Sequence, residues 1–167
     1  MKLKALTAIA AVMFAGSVYA DEAAELVVND DIEMVTKTAA PAHLSDAMDE
    51  VMSGWRFRSD ETQAMQMDDF DNPGMIFVDQ AMDAWNTAEG SADKSCASCH
   101  GAPEESMAGV RAVYPKWNED AGEVRTLAMQ INDCRENQMG AEKYGYTSGN
   151  MASMEALMAV PSGGMPV

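Results

Sequence analysis

The sequence predicts an all-α domain entered through an irregular acidic arm, and three observations predict it. Apolar residues recur at helical spacing in three separate stretches, Met75 to Trp85, Val124 to Gln138 and Met151 to Met158. Pro73, Gly140 and Pro161 fall where such helices would start or stop. Between the first two stretches, Cys96-Ala97-Ser98-Cys99-His100 sets two thiols and an imidazole at the spacing of one helical turn.

In chain order, Lys2 and Lys4 precede an apolar run from Ala5 to Ala15, broken only by Thr7, and Val18-Tyr19-Ala20 follows with small residues at −3 and −1. Residues 1–20 therefore read as a signal peptide cleaved after Ala20, which directs the chain to the periplasm. The run is shorter than the about 20 residues a membrane span requires. Residues 21–44 form the acidic arm, with a short strand at Leu26-Val27-Val28. Ser45 caps a short helix over 46–53 that Gly54 ends, and residues 55–72 are polar and irregular. Pro73 opens a helix whose Met75, Val78, Met82 and Trp85 share one face, ending at the Gly90-Ser91 turn.

Beyond His100, Pro103 and Pro115 break residues 101–118 into loop. A helix over 123–139 follows, ended by Gly140, with Val124, Leu127, Ile131, Cys134 and Gln138 on one face. Cys134 then points with the apolar stripe, whereas Arg125, Asn132 and Arg135 point outward. Asn150 caps a last helix carrying Met151, Met154, Leu157 and Met158, which Pro161 stops. Residues 45–160 make up the domain, and 161–167 have the composition of a linker.

The 167 residues carry a net charge of −16. Loss of residues 1–20 removes Lys2, Lys4 and no acid, leaving −18 on 147 residues. Such a surface repels nucleic acid and anionic membranes and suits a basic protein partner. The length suits one domain with a core of its own.

C-x-x-C-H is the attachment pattern of a c-type haem. The porphyrin's vinyl groups lie on one edge, within reach of two thiols three positions apart, and the next residue brings its imidazole under the iron. Cys96 and Cys99 are the covalent attachment residues for one haem c, and His100 the fifth iron ligand. A zinc site would need a second Cys/His pair at matching spacing, and only Cys134 and His43 remain. The sixth ligand has three kinds of candidate: His43 in the arm, the fourteen methionines left after residue 20, and Cys134. The residues alone leave methionine and Cys134 thiolate open.

A resemblance bears on that choice. Gly54, Phe57, Arg58, Thr62-Gln63, Gln66, Asp68-Asp69 and Asn72-Pro73-Gly74 resemble the N-terminal domain of the SoxA family. So do Trp85-Asn86, the run from Lys94 to Gly101, Ser106-Met107, Tyr114-Pro115, and Leu127 with Ile131-Asn132-Asp133-Cys134-Arg135. The resemblance covers about residues 45–160. It implies a cytochrome c-like fold, a haem ligated by His100 and Cys134 thiolate, and a partner cytochrome subunit, SoxX, in a SoxAX heterodimer. It implies L-cysteine S-thiosulfotransferase activity for the full-length protein, joining thiosulfate to a cysteine of the SoxYZ carrier while electrons pass to haem. Family members continue into a second domain with another C-x-x-C-H box and the cysteine that takes part in catalysis. Nothing follows Val167 here, so the expectation is an N-terminal part of such a protein, with 161–167 as the start of an interdomain linker.

A thiolate stabilises iron(III) and lowers the potential, whereas methionine raises it. A thiolate-ligated haem is then a poor acceptor and suits a structural or relay role. The alternative is a free-standing Met-ligated monohaem electron-transfer cytochrome c. A third class is a metal-free interaction domain whose C-x-x-C forms a disulfide.

Overall fold

The structure, a computed structural model, describes residues 25–165. Residues 1–20, expected as a signal peptide, and the first residues of the arm lie outside them, as do Pro166 and Val167. Among the described residues six helices carry the fold: α1 (Asp60–Met67), α2 (Met75–Asn86), α3 (Ala97–His100), α4 (Pro103–Ser106), α5 (Leu127–Cys134) and α6 (Gly149–Ala159). Six three-residue strands pair as antiparallel hairpins: β1 (Leu26–Val28) with β2 (Ile32–Met34), β3 (Lys37–Ala39) with β4 (Glu50–Met52), and β5 (Lys116–Asn118) with β6 (Glu123–Arg125). The all-α expectation is thus met in the core and departed from at its edges. No helix among the described residues is long and apolar enough to cross a membrane.

The core is helix on helix. α2 packs along α6, burying Val78, Ala81 and Trp85 against Met151, Met154, Leu157 and Met158. Met107, Leu127 and Ile131 complete the cluster. Each buried Val, Leu, Ile or Met side chain contributes about 1.5–3 kcal/mol on burial, and the periodicities around Val78 and Met154 match the buried faces. Ser148, not Asn150, caps α6, its hydroxyl accepting from Met151 N.

Residues 25–67 hold more regular structure than their composition suggests. No helix forms over 46–53; β4 takes Glu50–Met52, and Ser53 caps a 3₁₀ turn over Gly54–Phe57. Residues 60–67, expected to be irregular, form α1, whose cap Ser59 accepts from Thr62 N and whose first turn holds Asp60 and Glu61. Acids there complement the helix dipole. The arm is pinned to this helix. Asn29, with φ 53°, donates from its side-chain amide to Asp69 and accepts from Asp69 N, while its own backbone N–H reaches Met67 O.

Further expectations are corrected. The helix expected over 123–139 starts four residues later, because Glu123–Arg125 pairs with Lys116–Asn118 and Thr126 caps α5 by accepting from Met129 N. Val124 is consequently exposed on the hairpin, outside the stripe it was placed in. After Cys134 the helix widens into a π turn over Arg135–Met139, closed by Gly140 in the left-handed region. The tail is no free linker over its described part. Val160–Ser162 form a 3₁₀ turn, and buried Ser162 donates to the carbonyls of Met107 and Met158. Residues 101–118, expected as loop, hold α4 and a 3₁₀ turn over Arg111–Val113 besides β5.

Candidate haem site

The C-x-x-C-H run is shaped by its own flanking serines. Ser95 Oγ accepts from Ser98 N at 3.1 Å, Ser98 Oγ accepts from Ser95 N at 3.0 Å, and the Ser98 hydroxyl donates to Ser95 O at 2.6 Å. This reciprocal cap satisfies donors that a one-turn helix leaves free. His100 N and Cys99 N both bond to Cys96 O, so both thiols and the imidazole ride on one turn. Trp85 supports it from below. Its indole N–H donates to Gly101 O at 2.8 Å, and its ring lies 5.9 Å from that of His100, tilted by 44°.

Cys96, Cys99 and His100 open onto a cavity of about 370 Å³. α5 supplies another wall through Leu127, Gln130, Ile131 and Cys134, and the π turn adds Arg135, Gln138 and Met139. Met107, Met154 and Met158 line the side towards the core. The structure therefore brings together all four residues singled out in the sequence: Cys96, Cys99, His100 and Cys134. His43 stands apart, exposed in a 3₁₀ turn over Ala42–Leu44 and absent from the cavity wall. Four methionines share the lining, so proximity to the cavity alone does not choose between Met and Cys134.

The surroundings of the sulfurs differ. Burial pushes the Cys96 thiol above its ordinary pKa, an effect opposed by the nearby Arg135 guanidinium. Cys134 Sγ accepts from the Gln130 amide at 3.7 Å, and Gln130 in turn accepts from Arg125 Nη1. Arg125 is held by Glu123 and Asp133 at 3.2 and 3.4 Å.

Two residues expected to face solvent are buried. Asn132 is 2% exposed and Arg135 6%. Asn132 bridges to the following loop, donating to Tyr144 O at 2.9 Å and accepting from Tyr144 N at 2.8 Å. Arg135 pairs with Glu89 at 2.6 Å, donates from Nε to Glu142 O and lies 3.6 Å from the Tyr144 ring centroid. Polarity argued these residues outward; their partners, 7 to 46 positions away, left no periodic trace. Replacing Asn132 by Ala strands both backbone groups of Tyr144, and thermal unfolding should report a loss of about 2–3 kcal/mol. Asn132→Asp keeps the acceptor for Tyr144 N but sets a buried carboxylate oxygen against Tyr144 O, and should lose at least as much.

An apolar-lined cavity, two thiols on one turn, and nitrogen and sulfur donors from separate elements fit a covalently held haem. Comparison with known proteins agrees. Residues 80–167 match the SoxA/TsdA cytochrome c domain family. The chain belongs to the SoxA/TsdA cytochrome c family. Family membership carries with it covalent haem c. The chain is 53% identical over 142 residues to the L-cysteine S-thiosulfotransferase subunit SoxA of Rhodovulum sulfidophilum, covering 85% of this chain and 50% of that one. It is 48% identical over 157 residues to the subunit of the same name from Paracoccus pantotrophus, covering 92% and 54%. The crystal structure of SoxXA from P. pantotrophus superposes with a TM-score of 0.82 at 47% identity, covering 88% of this chain and 56% of that one. The chain spans about half the length of these SoxA relatives.

Proposed function

We propose that this chain is an exported cytochrome c domain of a SoxA-type subunit. It works within a heterodimer with a SoxX-type cytochrome, which oxidatively joins thiosulfate to a cysteine of a SoxYZ-type carrier. The observation that carries the reading is the single cavity lined by Cys96, Cys99, His100 and Cys134, in a chain with SoxA relatives at about half identity. In this reading one haem c is bound through thioethers to Cys96 and Cys99, with His100 and Cys134 as axial ligands.

The haem supplies one-electron exchange, tuned by its axial ligands. The protein's part is positioning and electrostatics. Trp85 holds the imidazole turn through Gly101 O, and Gln130 directs a donor at the Cys134 sulfur. An anionic sulfur favours the oxidised state, which makes the domain a weak electron acceptor and suits a structural or relay role beside the transferase chemistry. Excess negative charge on the whole chain favours encounter with a basic partner surface.

Intact mass provides the test. Exported in a host that matures c-type cytochromes, the protein should have the mass of residues 21–167 plus one haem. A haem-free mass would remove the cytochrome reading, and one retaining residues 1–20 would remove export with cleavage after Ala20.

A further inference from the structure

Two segments meet beside the cavity and are joined along their length. The first, residues 89–92, lies just ahead of Ser95 and Cys96. The second is the π turn that follows Cys134. Glu89 pairs with Arg135 at 2.6 Å, Ala92 N donates to Met139 O at 3.0 Å, and Ser91 N donates to Gly140 O at 3.2 Å. The fit at Gly90 is close. It has φ +70°, and a Cβ there would collide with the Met139 carbonyl. Gly140, also at positive φ, packs as closely against Ser91. The Arg135 guanidinium is the buried centre of this junction, with Glu89, Glu142 O and the Tyr144 ring around it.

The junction spans the gap between the haem-attaching turn and the segment that presents Cys134. Four methionine sulfurs also line the cavity, and Met139 lies on the same π turn as Arg135. The register of that segment against residues 89–92 fixes where Cys134 and Met139 stand on the cavity wall. A bidentate-capable, permanently charged guanidinium is suited to fixing such a register. π turns recur at functional sites, where they re-aim side chains.

We infer that Arg135, clamped between Glu89 and Tyr144, is a positioning residue that selects Cys134 over the cavity methionines as the sixth haem ligand. The inference rests on the reading of His100 and Cys134 as axial ligands. Arg135 borders the cavity, and its proposed action is through the turn that directly follows Cys134.

The test uses the haem-loaded full chain and reads ligation by optical and electron paramagnetic resonance spectra, with the potential and the thermal midpoint measured alongside. Arg135→Gln should lose the low-spin thiolate signature in a large share of the haem. In its place should come the near-infrared band of Met ligation, or an iron open to added imidazole. Arg135→Lys, which keeps one contact to Glu89, should restore part of the signature. Glu89→Gln preserves side-chain shape and should open a smaller share of the haem to imidazole. Gly90→Ala, which wedges the junction without touching Arg135, should act like Arg135→Gln. If all these variants keep the thiolate spectrum and exclude imidazole, with only the thermal midpoint lowered, Arg135 is merely structural and the inference is overturned. That result leaves the Cys134 assignment standing. A thiolate signature missing from the unmutated protein would instead overturn the ligand assignment and the inference together.

Discussion

Haem retention is expected to vanish when Cys96 and Cys99 are both replaced by Ala. Thioether bonds hold a haem through acid–acetone extraction, whereas axial ligation and apolar contact do not, because acid protonates the imidazole and unfolding opens the cavity. Both thiols line the cavity on the one turn that also carries His100. Expressed with cytochrome maturation, the unmutated protein should keep its haem in the protein pellet and the double variant should release all of it. Either single variant should retain one thioether, with a shifted haemochrome band. Haem that extracts freely from the unmutated protein would show that the C-x-x-C-H turn does not serve attachment.

Removing Cys134 is expected to have the largest effect on the chemistry of the bound haem. Cys134→Ala should open the sixth position, so that added cyanide or imidazole binds where the unmutated protein excludes it. Cys134→Met should raise the potential, since a neutral thioether no longer favours iron(III). Each ~59 mV is tenfold in a one-electron equilibrium, and axial identity commands roughly 0.8 V. The expected rise is therefore a change of several orders of magnitude in electron-accepting strength. Equilibrium titration against redox mediators measures it. An unchanged spectrum and potential in Cys134→Ala would hand the sixth position to Met107, Met139, Met154 or Met158, all of which line the cavity. The electron-carrier alternative would then move ahead.

The parts of this molecule that are legible in the sequence are those whose physics is local. The C-x-x-C-H turn is one, because porphyrin geometry dictates the spacing of thiols and imidazole. α2 and α6 are others: Val78 and Trp85, and Met154 and Leu157, repeat with the helical period of the faces they bury. The step from Leu127 to Ile131 to Cys134 likewise put the sulfur on the cavity side of α5. Some local signals were present and unread. Ser59 before Asp60 and Glu61 marks α1, and Thr126 three residues before Met129 marks the true start of α5. What only the tertiary structure decided are the pairings between distant segments. Glu123–Arg125 is a strand because Lys116–Asn118 lies beside it, although nothing in its own residues forbids helix. Arg135 and Asn132 are buried because Glu89 and the backbone of Tyr144 meet their charge and polarity. Ser162 is buried because the carbonyls of Met107 and Met158 receive its hydroxyl. A polar side chain goes inside when a partner offsets its desolvation, and that partner is set by how the chain folds back on itself.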